Sequence, residues 1–415
     1  MNKPIVVQKY GGSSVASIEK LRTVARLIVE KKRAGYDVVA VVSAMGDTTD
    51  ELLERAHALA PTPDRRELDM LLSAGERIAM SLLAIAIRAE GFDAVSLTGS
   101  QSGIITTANH AQARIMEVRP FRVQDELERD RIVIVAGYQG VSYTRDVTTL
   151  GRGGSDTTAV ALAAALDAEA CEIFSDVDGV YTSDPRVVQG TQSMPAIGYE
   201  EMQALAEAGA RVLNAEAVEF ARNRGIAIYA RKTSSSHPGT VIRRDVPKAP
   251  SGVRGIAFEA RVGWITGPTP EGSRLAELLE GVRQLGGRIR HIHRSADAHG
   301  GARQASSEDT LCLLVGLDEV VDEGPLQALA DRTLGAGSYW PSRGAVSLVG
   351  EGVVSDPNPL LNALETLKRG AIAVDGIASS SFRITLITMG NRVAEAANLL
   401  HHALGLDRPE TEAQL

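Results

Sequence analysis

Residues 1–245 alternate short, nearly continuous apolar runs with longer segments in which apolar residues recur every three to four positions. Continuous apolar runs are typical of strands covered on both faces, and the longer period is typical of helices. This alternation predicts an α/β sandwich with a mainly parallel central sheet. We expect strands at 4–8, 38–42, 94–97, 132–136, 171–174 and 226–230, and helices at 18–34, 69–90, 156–167 and 199–224.

The pattern changes at residues 245–252, where DVPKAPSG has the proline, glycine and serine content of a linker. Two segments follow, and each has the order strand, helix, two strands, helix, strand (βαββαβ), which predicts two small α+β domains. The expected division is therefore a catalytic domain at 1–245, a first small domain at 252–340 and a second at 341–415. A repeated pair of this kind suggests regulation or assembly.

Composition excludes several classes of protein. The chain has 44 Lys and Arg against 52 Asp and Glu, a net charge of −8, which argues against a nucleic-acid-binding protein. No apolar run approaches the roughly 18 residues of a membrane span, and the N-terminus shows no signal-peptide pattern, so we expect a cytoplasmic protein. The two cysteines, Cys171 and Cys312, are too few for a disulfide framework or a Cys-rich zinc site.

The motif KYGGSS at 9–14 lies where a strand meets a helix. Glycines without a Cβ let backbone N–H groups approach a phosphate, and the helix N-terminus adds partial positive charge. Lys9 adds a full positive charge before the glycines, which differs from the Walker pattern. Taken alone, such a turn is more often structural than functional.

Two further loops are rich in glycine or aspartate. In TTLGRGGSDTTAVALAAALDA, at 148–168, Arg152 can contact a carboxylate or phosphate with two hydrogen bonds, and Ser155 or Asp156 caps the next helix. FSDVDGVYTSDPR, at 174–186, follows a strand, as ligand-binding loops of open α/β sheets do. Each loop could also be an ordinary turn. However, the glycine-rich loops at 9–14 and within 148–168 both lie at helix starts on one sheet, which favours binding sites for a phosphate and its acceptor.

Several motifs in one order carry a family resemblance. KYGGSSVAS, VVSAMGDTTDELL, LLSAGERIAM, LTGSQSGIITT, VAGYQGV, the glycine-rich loop and SDVDGVYTSDPR together resemble the amino-acid kinase superfamily, and within it the aspartate kinases, over about residues 3–245. The resemblance implies a three-layer sandwich that transfers the γ-phosphoryl group of ATP to the β-carboxylate of L-aspartate, with Mg²⁺. A carboxylate is already an ionised nucleophile at pH 7, so this chemistry needs charge screening and in-line positioning rather than a general base.

The resemblance also implies roles for individual residues. Lys9 and Asp156 would be catalytic: Lys9 would stabilise the transferring phosphoryl group, and Asp156 would organise the phosphate-side lysine and the metal. Glu76 would bind the ammonium group of aspartate, and Arg152 its α-carboxylate. The other residues expected to contact aspartate are Ser43, Thr48 and Ser155. The residues expected to contact the nucleotide are Lys9, Gly11, Gly12, Ser13, Ser175, Asp176, Tyr181, Asp184, Pro185, Arg186 and Lys232. The Lys232 side chain could either face the nucleotide or simply be solvated.

The two C-terminal segments resemble ACT domains, the effector-binding modules of aspartate kinases. This implies a small-molecule effector and a homo-oligomer, a dimer or larger, formed through these domains. The first segment departs from the family, because TGPTPEGS at 266–273 lacks the usual acidic loop and RIRHIHR at 288–294 is basic. Since an ammonium group needs acidic partners, we predict weak or absent feedback by lysine or threonine.

Two alternative functions stay open at this point. One is a kinase for a related acidic amino acid, and intact Glu76 and Arg152 then favour an α-amino acid. The other is a non-catalytic subunit that only binds an effector, which the presence of Lys9 and Asp156 opposes.

Overall fold

The computed structural model describes residues 3–151, 153–210, 212–235, 237–247, 249, 252–295, 309–318, 320 and 322–408. The chain divides into two compact units. The first comprises Met1–Val180, Ser193–Ala206 and Arg211–Pro247, and the second comprises Tyr181–Gln192, Glu207–Ala210 and Lys248–Leu415.

The elements up to residue 247 alternate largely as the apolar pattern predicts. The strands are β1 Ile5–Tyr10, β2 Asp37–Val42, β3 Ala94–Leu97, β4 Ile104–Thr106, β5 Ile115–Val118, β6 Ile132–Ala136, β7 Gln139–Ser142, β8 Val147–Thr149, β9 Ala170–Ser175, β10 Val180–Tyr181, β11 Ser193–Met194, β12 Ala196–Gly198, β13 Ile228–Lys232 and β14 Thr240–Arg243. The helices are α1 Ile18–Arg33, α2 Thr48–Leu59, α3 Arg65–Ala89, α4 Phe121–Glu128, α5 Gly154–Ala165, α6 Tyr199–Glu207 and α7 Ala215–Arg224.

The central sheet of the first unit has eight strands in the order β12-β14-β13-β9-β1-β2-β6-β3. All neighbouring pairs are parallel except β13 with β14. Val6 and Tyr10 of β1 pack with α1 and α3 on one face, whereas Lys9 contacts α5 on the other. Because alternate residues of a strand point to opposite faces, the sheet is covered on both sides, and the expected three-layer α/β sandwich is confirmed.

The prediction of one helix over 199–224 is wrong, because the chain forms α6 and α7 there. Gly209 has φ +103°, which no helix accommodates. Asn214 then caps α7, its side-chain oxygen accepting hydrogen bonds from Glu216 N at 2.8 Å and Ala217 N at 3.2 Å. Helical spacing of apolar residues continues across this break, so the pattern alone did not reveal it. A four-stranded sheet in the order β5-β4-β7-β8 was also not predicted.

Helix α3 begins at Arg65, four residues before the expected start at 69, because the Asp64 side chain accepts from the first backbone N–H groups. By length and composition it is the one helix among the described residues that could cross a membrane, but half of its apolar stretch is buried in the fold. It also carries the buried side chains Asp69 and Glu76. We therefore interpret α3 as a core helix.

The second unit contains a six-stranded, fully antiparallel sheet in the order β16-β17-β15-β18-β20-β19. The long strands β15 and β18 each run through two apolar cores, one around Leu313 and the other around Leu386. The two βαββαβ patterns thus share one sheet, and the division at 340 stays a prediction. The elements are β15 Gly255–Pro268, α8 Gly272–Gln284, β16 Arg288–Ser295, β17 Thr310–Gly316, α9 Gly324–Leu334, β18 Tyr339–Val349, α10 Asn358–Arg369, β19 Gly376–Ser380, β20 Arg383–Met389 and α11 Val393–Ala403.

The basic run at 288–294 carries less uncompensated charge than the sequence alone indicates. The Arg290 guanidinium lies 3.0 Å from the Glu259 carboxylate and 3.3 Å from that of Asp318. Arg294 pairs with Asp309 at 2.7 Å. Opposite charges at these distances cancel much of the local field, so this run is a weak reason to exclude a cationic effector.

Candidate active site

Four of the expected site residues, together with Gly137, lie at one edge of the central sheet. Since β1, β2, β6, β9 and β13 are mutually parallel neighbours, their carboxyl ends meet at this edge. Lys9 is near the end of β1, Ser43 follows β2, Gly137 follows β6, and Ser175 and Lys232 end β9 and β13. Carboxyl ends of parallel strands are where open α/β sheets bind ligands.

Lys9 and Asp156 form a largely buried ion pair. The Lys9 ammonium lies 2.7 Å from Asp156 Oδ1, and about nine-tenths of each side chain is buried. Asp156 sits in the first turn of α5, where Gly154 N donates to Gly151 O and Asp156 N donates to Gly153 O, both at 3.0 Å. This end of the sheet therefore holds a lysine in a fixed position next to a helix N-terminus, whose partial positive charge favours anions.

The loop after β1 and the loop after β2 touch through backbone atoms. A Cβ on Gly12 would lie 2.9 Å from Ala44 O and 3.2 Å from Gly46 O, and Gly46 N donates to Gly12 O at 3.1 Å. Gly11 N donates to Phe174 O at 3.1 Å. Glycine at position 12 is thus required by this close approach.

Ser13 is exposed at the start of the same segment. Its carbonyl oxygen accepts a hydrogen bond from the Lys20 ammonium at 2.8 Å. This contact ties the loop after β1 to the first turn of α1.

Glu76 is a buried carboxylate with one oxygen left over. Its Oε1 accepts a hydrogen bond from Ala44 N at 3.1 Å, whereas Oε2 is buried and has no partner in the part of the chain that the structure describes. Burial raises the pKa of Glu76 to about 7, against the opposing effect of its backbone hydrogen bonds. A Cβ on Gly75 would lie 2.7 Å from Ala44 Cβ, so glycine lets α3 approach the loop. The arrangement fits a receptor for a cationic group.

Thr48 and Ser155 lie beside these groups. The Thr48 hydroxyl donates to Met45 O at 2.6 Å at the start of α2, and its methyl group is 3.7 Å from where a Gly75 Cβ would be. Ser155 is buried, with its hydroxyl 2.7 Å from where a Gly137 Cβ would be. Ser43 N donates to Tyr10 O at 3.1 Å. Arg152 lies outside the described residues.

Of the expected nucleotide contacts, Ser175 and Lys232 are neighbours in register on β9 and β13. Lys232 is exposed and lines an open cavity of about 450 Å³ together with Phe174 and Arg231. Asp176 is exposed in the loop after β9. No group of three or more His, Cys, Asp or Glu side chains suited to a metal ion occurs among the described residues.

Four of the expected nucleotide contacts, namely Tyr181, Asp184, Pro185 and Arg186, belong to the second unit. Within it, the Arg186 guanidinium donates to both carboxylate oxygens of Asp184, at 3.0 and 2.8 Å. Val188 N donates to Asp184 O at 2.9 Å and closes the turn.

Sequence reasoning missed two residues that shape the site. Asn214 N lies 3.4 Å from Asp156 Oδ2, and the Asn214 side chain occupies the space that a Gly153 Cβ would fill. Asp69 is fully buried on α3, seven residues before Glu76. An N-cap asparagine and an acidic residue repeated at a seven-residue interval on a buried helix face are signals that could have identified them.

The fold is that of a class of phosphoryl-transferring enzymes, as comparison with known proteins shows. Residues 4–231 match the model of the amino acid kinase family. The chain is 42% identical over 422 residues to the aspartokinase of Mycolicibacterium smegmatis, a match covering 97% of this chain and 96% of the relative. It is also 42% identical over 413 residues to the aspartokinase of Corynebacterium glutamicum, covering 97% and 96%.

A solved structure shows the same fold. Escherichia coli aspartokinase III in complex with aspartate and ADP superposes with a TM-score of 0.79 at 21% identity, covering 96% of this chain and 99% of that chain. With these matches, the chain belongs to the aspartokinases within the amino acid kinase family. Its activity is that of an aspartate kinase, an ATP-dependent phosphotransferase acting on a carboxyl group.

Proposed function

We propose that the edge of the central sheet is where phosphoryl transfer from ATP to the β-carboxylate of L-aspartate takes place. Lys9 and Asp156 serve the transferring phosphoryl group, Glu76 binds the ammonium group of aspartate and Arg152 its α-carboxylate. The observation that carries this assignment is the Lys9–Asp156 pair, 2.7 Å apart at the edge where the Glu76 carboxylate keeps one buried oxygen without a partner.

The chemistry fits these groups because both reactants are anions. The aspartate carboxylate needs no general base, but its approach to a triphosphate is opposed by like charge. The Lys9 ammonium offsets that repulsion where the charge concentrates, and the Asp156 carboxylate holds the ammonium in place. Ser43, Thr48 and Ser155 border the acceptor and fix its orientation, which raises the effective concentration of the attacking oxygen.

Mg²⁺ fits the donors present. Nucleotide-bound Mg²⁺ keeps several waters and takes one or two protein carboxylates besides the phosphates, and Asp156 provides a carboxylate beside Lys9. When bound, the ion screens the charge of the phosphate oxygens. We expect turnover to be lost on chelation of Mg²⁺ and restored when the ion is added back.

The proposed nucleotide contacts are backbone and side-chain groups at the strand ends, with Gly11, Gly12 and Ser13 at the phosphates. The proposal also includes Ser175, Asp176 and Lys232. A cytoplasmic location and a homo-oligomer formed through the ACT-like domains complete it.

The function is tested by product formation with purified protein, ATP and four acceptors: L-aspartate, D-aspartate, L-glutamate and succinate. We expect L-aspartate to be used best and succinate, which has no ammonium group, to be a poor acceptor. Glu76→Gln should reduce the preference for L-aspartate over succinate, since its ammonium receptor is neutral. Equal use of L-aspartate and L-glutamate would favour a broader acidic-amino-acid kinase, and an unchanged preference in the variant would refute the role of Glu76.

We further propose weak or absent feedback by lysine or threonine. A cavity of about 430 Å³ lies where β15 leads into α8, and its charged lining residues are Glu271, Arg274 and Arg332. Arg332 pairs with Glu277 at 2.8 Å, so Glu271 and Arg274 leave the cavity without the net negative charge that a second ammonium group would need. E. coli aspartokinase III has been solved in complex with lysine and aspartate, so lysine binding by that enzyme is a useful comparison for the weak response expected here. Assays with millimolar lysine plus threonine should leave activity nearly unchanged, and strong inhibition would contradict the proposal.

A further inference from the structure

A buried carboxylate ties the glycine-rich loop to helix α3. Asp69 has no exposed surface and lies on α3 seven residues before Glu76. Seven residues are about two helical turns, so both carboxylates lie on one side of α3, about 10 Å apart along its axis. The aspartate site as assembled above does not use Asp69.

Three donors converge on the Asp69 carboxylate. His110 Nδ1 donates to Oδ2 at 2.6 Å, Ala111 N donates to Oδ1 at 3.0 Å, and the Thr149 hydroxyl also donates to Oδ1. A carboxylate buried without such donors is strongly disfavoured. The four groups therefore hold one another in a single arrangement.

These donors belong to segments that form the glycine-rich loop and support it. Thr149 is the last residue of β8, directly before the loop that leads into α5. Ala113 N donates to Thr149 O at 2.9 Å, and Ala111 O lies 3.6 Å from where a Gly151 Cβ would be. Ala111 has φ +66°, a left-handed conformation that is uncommon outside glycine, and its N–H bond to Asp69 stabilises it.

We propose that Asp69, acting through His110 and Thr149, is a positioning group for aspartate. Glu76 and Asp69 share one rigid helix, so the Asp69 contacts fix the distance between the ammonium receptor and the loop that carries Arg152 and Ser155. The proposal rests on the roles assigned above to Glu76 and to that loop. Loosening these contacts lets the loop drift from Glu76, which weakens aspartate binding and leaves the nucleotide contacts of the first strand in place.

The test compares three substitutions on β8. Thr149→Val keeps the shape of the side chain but removes the hydroxyl, and Thr149→Ser keeps the hydroxyl. Thr148→Val is the matched control, because Thr148 is buried on the opposite face of β8, where its hydroxyl pairs with that of Thr106. We expect Thr149→Val to raise the KM for aspartate about tenfold, the scale of one hydrogen bond to a charged group, with the KM for ATP changed less than about twofold.

The conservative variant and the control should behave differently from Thr149→Val. Thr149→Ser should have the same KM for aspartate as the wild type. Thr148→Val should lower the melting temperature without raising the KM for aspartate. Amide hydrogen exchange at 107–113 should speed up in Thr149→Val alone. If Thr149→Val is too unstable to assay, Asp69→Asn, which keeps the side-chain shape, should give the same split between the two KM values.

An aspartate KM unchanged in Thr149→Val, or raised equally in Thr148→Val, would overturn the proposal. Glu76→Gln measured in the same series tests the ammonium receptor separately from the positioning group. If the KM for aspartate rises in Glu76→Gln but not in Thr149→Val, the positioning role of Asp69 alone is refuted. If the KM for aspartate is unchanged in Glu76→Gln, the role of Glu76 as ammonium receptor is refuted.

Discussion

Replacing Glu76 by glutamine should make the protein more stable while impairing its use of aspartate. Glu76 is buried, and its Oε2 has no partner in the described part of the chain. Burial raises its pKa from the ordinary 4.5 to about 7. The charged carboxylate is therefore kept for binding at a cost to the folded state, as functional sites often require. Glutamine keeps the shape and the hydrogen bond from Ala44 N but carries no charge.

The size of the effect follows from the pKa of Glu76. A rise from 4.5 to about 7 corresponds to about 3 kcal/mol at 1.36 kcal/mol per pKa unit. The folded protein holds the proton more tightly than the unfolded chain. The contribution of Glu76 to the free energy of unfolding is therefore fully present below pH 4.5, is lost as pH rises to about 7, and stays lost above it. The variant should gain up to about 3 kcal/mol on the wild type between pH 5 and pH 8.

The assay is thermal unfolding of both proteins at pH 5 and pH 8, without aspartate. We expect the difference in Tm to widen in favour of Glu76→Gln by about 3 °C on going to pH 8. The buried amide of the variant imposes a cost that does not depend on pH, so only the widening is diagnostic. A difference in Tm that stays constant with pH would refute the reasoning.

Glu172→Gln is the matched control for this comparison. Glu172 is equally buried, but its carboxylate lies 3.1 Å from the Lys31 ammonium and 3.0 Å from the Arg231 guanidinium. Removing that charge leaves two cations without their partner, so this variant should be less stable than the wild type at pH 8. Stabilisation by both substitutions would point to a general charge effect instead of the Glu76 environment.

Three further results are expected. The KM for aspartate should rise as pH falls from 8 to 6, because protonated Glu76 cannot accept the ammonium group, and the rise should approach about tenfold per pH unit. A KM that does not change with pH would count against the contact between Glu76 and the ammonium group. Lys9→Ala should lower kcat by about a hundredfold or more, and it should also lower Tm because the largely buried Asp156 carboxylate loses its partner. The double variant Lys9→Ala/Asp156→Asn should recover Tm but not kcat, and near-normal turnover would exclude Lys9 from catalysis. Gly12→Ala should lower Tm more than Gly11→Ala does. A Cβ at position 12 would lie 2.9 Å from a backbone oxygen, whereas a Cβ at position 11 would meet nothing closer than 3.5 Å. An equal Tm for the two variants would show that the two loops can separate.

The sequence predicts the central sheet well because its strands are buried on both faces. The run Ile132–Ala136 is apolar throughout and forms β6, buried at every position. Very short strands carry too few apolar residues for such a signal, and β4, with three residues, was not predicted. The single helix expected over 199–224 failed for a different reason, since a glycine with φ +103° interrupts an apolar spacing that looks continuous.

The candidate site could be predicted as a set of residues but not as a geometry. Lys9 and Asp156 are far apart in sequence, and only the fold shows that their charges lie 2.7 Å apart. The requirement for glycine at position 12 comes from Ala44 O and Gly46 O on another loop. Likewise, the charges of the basic run 288–294 looked uncompensated because Glu259, a partner of Arg290, is distant along the chain.

The most direct test of the central claim is a crystal structure with a non-hydrolysable ATP analogue, Mg²⁺ and L-aspartate bound together. We expect a γ-phosphate oxygen at about 3 Å from Lys9 Nζ and the aspartate ammonium group at about 3 Å from Glu76 Oε2. A triphosphate bound away from Lys9, or an aspartate whose ammonium group contacts other residues, would contradict the account.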